Sequence, residues 1–220
     1  MLIDLQNIAL AFDDKPPLFA GLTLTVETGD FVLIQGASGI GKTSLLRLFN
    51  RLQDPTSGTM LVNGEPADTV EVTSLRRRIG YVQQTPVLID GTVGDNLRLP
   101  FTYKATNGVA PPNDASLSTW LADFQLTGVT LTDDAQTLSV GQKQRIALIR
   151  SLLVKPEILL ADEPTSALDE ASRVIVEGWL ERIALEKQAA VIMITHTDFK
   201  PKKVEARRYR LEADGLTGLT

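Results

Sequence analysis

Phe31-Val32-Leu33-Ile34 leads into Gly36-Ala37-Ser38-Gly39-Ile40-Gly41-Lys42-Thr43, and that stretch into Ser44-Leu45-Leu46-Arg47-Leu48-Phe49. The central segment fits G-x-x-x-x-G-K-[ST], a phosphate-cradling loop. It has an apolar, β-rich run before it and a helical pattern after it, the strand–loop–helix context such a loop requires. Glycines let several backbone N–H groups converge on one anion, and the helix N-terminus adds free N–H groups and partial positive charge. Lys42 is placed to reach the β- and γ-phosphates of a nucleotide, and the Thr43 hydroxyl to ligate Mg²⁺. Gly36 to Ser44 are the expected phosphate-binding residues.

The bulk properties narrow the setting. The chain has 220 residues, enough for one domain with an inserted subdomain, and 43% of them are hydrophobic. Lys and Arg number 22 against 27 for Asp and Glu, a net charge of −5, which argues against a nucleic-acid partner. There is no cysteine, so disulfides and thiolate metal sites are excluded. No charged-then-apolar leader is seen, and the apolar runs fall far short of the ~20 residues that span a bilayer. The expectation is a soluble chain that reaches a membrane only through a partner.

Outward from the loop, residues 2–10 and 22–26 alternate as strands, separated by a turn at Asp13-Asp14-Lys15-Pro16-Pro17. Thr59 to Val62 followed by Asn63-Gly64 predicts a tight hairpin. Ile79-Gly80-Tyr81-Val82 reads as a short buried strand. From Val87 to Gln136 the strand pattern stops. Val93 to Leu99 suits one or two helical turns, and Tyr103 to Asn113 a loop. Asp114 is an N-cap candidate for a helix over 115–126, with Trp120 as a core residue. Ser139 caps a helix that runs to Val154 and is stopped by Pro156. Ile158-Leu159-Leu160-Ala161 and Ala190 to Thr195 read as central parallel strands, with a helix over Glu170 to Leu185 between them. Tyr209 to Leu211 is expected as a last edge strand and the tail beyond Ala213 as frayed. This alternation predicts an α/β fold, a P-loop NTPase with a RecA-like parallel sheet, an N-terminal antiparallel β subdomain and an inserted helical subdomain. The division is 1–86 and 155–220 for the β subdomain and core, and 87–154 for the helical subdomain, all within one domain.

Four further positions carry chemistry. Asp162-Glu163 close an apolar parallel strand, where α/β sheets bind ligands. Asp162 would hold Mg²⁺, and Glu163 would polarise the attacking water. His196, the only histidine, ends another strand and suits a γ-phosphate sensor. Gln84 lies just past a third strand end and could touch Mg²⁺ or the attacking water, with Gln83 as its competitor. Leu138-Ser139-Val140-Gly141-Gln142 opens a helix and forms a second anion-binding end. Two such ends in one chain suggest a dimer in which each copy closes the other's site.

Taken in order, the P-loop, Gln84-x-Pro86, Leu138-Ser139-x-Gly141-Gln142, the run Ile158 to Asp169 and Thr195-His196 resemble the nucleotide-binding domain of ABC transporters across essentially the whole chain. The resemblance implies an ATPase that uses ATP and Mg²⁺, pairs with itself through ATP and drives an integral membrane permease from the cytoplasmic face of the cell membrane. It implies that Ser139, Gly141 and Gln142 bind the γ-phosphate held by the opposite protomer. Ser166 to Asp169 would form the loop through which the two sites communicate. Phe12, in place of the commoner tyrosine, would stack on adenine. Val140 stands where a glycine is usual, and Thr197 separates His196 from Asp198. Residues 84–88, 91–97 and 99–101 are similar to the bacterial FetA type, which is associated with iron or metal export. The rival readings are a soluble ATP-switched clamp on ribosomes or DNA, which usually carries two cassettes or a long coiled coil, and a P-loop small-molecule kinase, which would not need the Ser139 segment.

Overall fold

The computed structural model describes residues 2–12, 16–106, 108–186 and 188–219. The turn expected at 13–17 therefore falls largely outside the described residues. Two sheets organise the chain. The first contains β1 (Ile3–Leu10), β2 (Phe19–Val26), β4 (Ser57–Val62) and β5 (Glu65–Pro66) in the order β2-β1-β4-β5, all antiparallel. Asn63 and Gly64 join β4 to β5, both with positive φ (51° and 85°), as a two-residue hairpin turn of the primed kind demands.

The second sheet runs β10-β9-β3-β8-β7-β6. Its members are β3 (Phe31–Gln35), β6 (Ile79–Val82), β7 (Ile158–Asp162), β8 (Ala190–Ile194), β9 (Ala206–Glu212) and β10 (Gly215–Leu219). All pairings are parallel except β9 with β10. β3, β7 and β8 read as continuous apolar runs because both faces are covered. Val32, Ile34, Leu160, Ile192 and Ile194 face the antiparallel sheet and α1 (Lys42–Phe49). Phe31, Leu33, Leu159, Ala161, Val191 and Met193 face a second core built from helices. That core includes α3 (Val93–Arg98), α4 (Asp114–Asp123), α5 (Val140–Leu152) and α6 (Glu170–Leu185). Period-2 alternation along one strand thus feeds two cores.

Several expectations need correction. The N-cap of α4 is Asn113, whose Oδ1 accepts from Ser116 N at 2.9 Å; Asp114 is the first helical residue and pairs with Arg98. The helix ends at Asp123, because Gln125 adopts a left-handed φ of 53°. The segment before β6 holds a helix not read from the sequence, α2 (Val72–Arg78), capped by Glu71, whose carboxylate accepts from Thr73 N and Ser74 N. The C-terminal region differs most. β9 is interior, and Gly215–Leu219 of the tail form the edge strand β10. Gly215-Leu216-Thr217-Gly218-Leu219 has no strong strand signal. Its order comes from backbone bonds to β9 and from Leu216 packing against the core.

Leu211 on β9 is 1% exposed. Leu211→Ala is expected to lower the unfolding free energy by about 2–5 kcal/mol in urea titration. A residue on an edge strand beside a frayed tail would lose far less.

Candidate functional site

The phosphate cradle is set between β3 and α1. Gly39 and Gly41 take positive φ (79° and 102°), which side-chain-bearing residues rarely adopt. A Cβ on Gly41 would sit 2.9 Å from Leu18 Cδ1, and one on Gly36 would sit 2.9 Å from the Leu211 carbonyl. The loop is therefore seated against both sheets. Lys42 is 6% exposed and folds back over the loop, its Nζ donating to the Gly36 and Ala37 carbonyls at 3.0 and 2.9 Å. Beside it opens a cavity of about 280 Å³, walled by Leu18, Ser38, Gly39, Gly41 to Ser44, Glu163 and His196.

Four parallel strands deliver their polar residues to this edge. Asp162, the last residue of β7, is 5% exposed and accepts from the Tyr81 hydroxyl at 3.0 Å. The Tyr81 phenol is pushed up to about 12, first by burial and then by the Asp162 charge, with Arg47 opposing. Glu163 holds a left-handed φ of 46°, a strained state for a residue other than glycine. This turn leaves its carboxylate between two partners. Oε1 lies 2.6 Å from His196 Nε2, and Oε2 accepts from Gln84 Nε2 at 3.0 Å. Gln84 also donates to Ser166 Oγ at 3.3 Å, and Ser166 donates to the Glu163 carbonyl at 3.1 Å.

Gln84 and not Gln83 enters this network. The Gln83 carbonyl is held instead by Gln144 Nε2 at 3.2 Å. Thr43, Asp162 and Gln84 offer only hard oxygens at the phosphate edge. That set fits Mg²⁺, which commonly takes one or two carboxylates together with substrate phosphates. Among the described residues no cluster of three or more His, Cys, Asp or Glu forms a self-sufficient metal cage.

The Ser139 segment lies apart. Ser139 and Gln142 form a capping box: Ser139 N donates to Gln142 Oε1 at 2.8 Å, and Gln142 N to Ser139 Oγ at 3.3 Å. Neither Ser139, Gly141 nor Gln142 lines the cavity at the chain's own P-loop. Asp169 caps α6, accepting from Ser172 N at 2.8 Å, a bond that holds its carboxyl below the ordinary range. Phe12 is 44% exposed and is not part of the cavity wall, where Leu18 takes the apolar place. Sequence reasoning missed Leu18, the hydroxyl of Tyr81 and the link from Ser166 to Gln84. Only Tyr81 had a readable signal, a phenol within an otherwise apolar strand.

Comparison with known proteins agrees with this geometry. The profile of the ABC transporter family matches residues 19–166. Over 196 residues the chain is 39% identical to the probable iron export ATP-binding protein FetA of Escherichia coli (strain K12), covering 89% of this chain and 84% of that protein. Over 201 residues it is 36% identical to ABC transporter I family member 17 of Arabidopsis thaliana, covering 91% and 74%. Among solved structures it superposes on a dimeric ATP-binding cassette in a post-hydrolysis state bound to ADP and Pi. The TM-score is 0.84, with 26% identity, 98% of this chain and 96% of that one. A bacterial Atm1-family ABC exporter with ATP bound gives a TM-score of 0.81 at 27% identity, covering 98% and 38%.

Gly141 is buried against α6, and a Cβ there would lie 2.5 Å from Ser172 Oγ and 3.0 Å from its Cβ. Gly141→Ala should therefore destabilise the fold by about 1–3 kcal/mol through overpacking. Thermal unfolding of Gly141→Ala with and without Ser172→Gly is the check, the double variant recovering part of the loss.

Proposed function

The chain belongs to the ABC transporter family, a family of ATPases, and on that premise we propose that it energises a separate membrane permease, two copies closing head to tail on ATP. The observation that carries the reading is the meeting of Glu163, His196 and Gln84 at the mouth of the P-loop cavity. In this reading residues 87–154 form the helical subdomain, and residues 1–86 with 155–220 the β subdomain and core.

The residues divide the chemistry between them. Backbone N–H groups of Gly36 to Ser44 hold the phosphates, and Lys42 exchanges its two carbonyl partners for phosphate oxygens. Thr43, Asp162 and Gln84 would hold Mg²⁺, which when bound neutralises phosphate charge. Glu163 takes the proton of the attacking water while His196 fixes the carboxylate and senses the γ-phosphate. The α5 N-terminus supplies the second half of the site. Its capping box occupies the N–H groups of Ser139 and Gln142 and leaves those of Val140 and Gly141 without an acceptor among the described residues. An anion held by a partner copy would satisfy them, with Asp169 setting the adjoining α6 terminus. Phe12 is assigned to adenine stacking.

No helix among the described residues is long and apolar enough to cross a membrane. The proposed location is peripheral, on the cytoplasmic face of the inner membrane, through the permease. A groove of about 480 Å³ between α2, β6 and the end of α5 suits that contact. It combines Arg77, Lys104 and Arg150 with Pro100 and Tyr103, a lining matched to a short acidic and apolar segment. The likeness to the FetA protein makes metal (iron) export the first transport direction and cargo to test.

Glu163→Gln should retain ATP binding and lose about 10²-fold or more of the ATPase rate, leaving an ATP-bound dimer visible by size-exclusion chromatography. Normal turnover in that variant would remove Glu163 from the role of base. Purification from native membranes in mild detergent should bring down a multi-helix permease. The double variant Arg77→Glu with Lys104→Glu should release that permease while basal ATP hydrolysis stays unchanged.

A further inference from the structure

Tyr81 joins two features that otherwise lie on separate parts of the molecule. It lines the basic groove, and its hydroxyl reaches Asp162 at the phosphate edge, 3.0 Å away. The sheet register makes this contact possible. Tyr81 on β6 pairs with Leu160 on β7, so the two side chains share a face, and Asp162, two residues beyond Leu160, points to that same face. Asp162 is almost wholly buried, and Tyr81 is the one side-chain donor it has among the described residues. A buried carboxylate held at one oxygen has a fixed plane, and its other oxygen is directed elsewhere.

We propose that Tyr81 is a positioning residue whose hydroxyl holds the Asp162 carboxylate in the orientation that receives the divalent cation of the bound nucleotide. The inference rests on the reading of Asp162 as a cation-holding residue. Partners that orient a ligating carboxylate typically set metal affinity within a factor of about 10–100. The ring of Tyr81 also packs against the core that contains Leu160. Tyr81→Phe keeps that packing and the groove wall and removes only the donor.

The test uses the full chain with a non-hydrolysable ATP analogue. Mn²⁺ affinity is read by electron paramagnetic resonance of the free ion, and nucleotide affinity is measured separately in EDTA. The expected result for Tyr81→Phe is Mn²⁺ affinity lowered about tenfold with unchanged nucleotide affinity in EDTA. In an Asp162→Asn background the same substitution should have no further effect on Mn²⁺. Unchanged Mn²⁺ affinity overturns the proposal. So does an equal loss of nucleotide affinity with and without metal, or an undiminished effect in the Asp162→Asn background. If Asp162→Asn alone leaves Mn²⁺ affinity intact, the cation-holding reading of Asp162 falls, and the proposal with it.

Discussion

The structure depends on the two-sided burial of four parallel strands in register. β3, β8, β7 and β6 align residue against residue, as Phe31 with Val191, Ala190 with Ile158 and Ile158 with Ile79 show. Along their length no polar side chain can be accommodated without a partner, because both faces lie in apolar cores. The first polar positions therefore occur where the strands end, and the shared direction puts all of those ends on one edge. Gln35 and the P-loop, Gln84, Asp162 with Glu163, and His196 meet for this reason. The two most buried ionisable groups of the site obey the same rule. Lys42 is satisfied by two loop carbonyls and Asp162 by a phenol. The cradle is thus held in shape by its own internal bonds.

What could be read from the sequence follows from that constraint. Continuous apolar runs ending in Asp162-Glu163 or His196, and a glycine loop between strand and helix, are local patterns. They placed β3, α1, β7, α6 and β8 within a residue or two. Features decided by non-local partners were not legible. β10 is ordered by a neighbour strand, not by its own glycine-rich composition. Asn113 and Asp114 are both good caps, and it is Asn113 that takes the extended backbone and accepts from Ser116 N, while Asp114, the first helical residue, pairs with Arg98. The bond between Tyr81 and Asp162 spans 81 positions and exists only because β6 and β7 lie side by side. Gly141, Ser139 and Gln142 could be read as a helix start, whereas the reason for glycine at 141 is the closeness of Ser172 on another helix.

The segment that follows β6 is held by the helices, although its second residue, Gln84, reaches Glu163 through its amide. Gln144 holds the Gln83 carbonyl, Arg150 the Val87 carbonyl at 2.8 Å, Gln136 the Leu88 carbonyl, and Asn96 bonds both the N–H and the carbonyl of Ile89. These side chains come from α3, α5 and the 3₁₀ turn before α5. A displacement of the helical unit would carry backbone 83–89 with it. The Gln84 amide is the only side chain of that segment bonded to Glu163.

Glu163 has both carboxylate oxygens engaged, each by one partner, which fixes the plane of the group and leaves a further lone pair on each oxygen. The two partners are unequal. His196 Nε2 stands at 2.6 Å, whereas the Gln84 amide donates at 3.0 Å, is exposed to solvent and is shared with Ser166. Water readily replaces hydrogen bonds at an exposed position. Gln84 is therefore the more readily exchanged of the two partners, and the carbonyl of its neighbour Gln83 is held by α5 through Gln144. The strained backbone at Glu163 acts in the same direction, since a left-handed residue persists only where its surroundings enforce it. The Glu163 N–H to Ile194 carbonyl bond at 3.1 Å and the Ser166 bonds to the Glu163 carbonyl do so. The carboxylate can then change partners while its backbone stays anchored to the sheet.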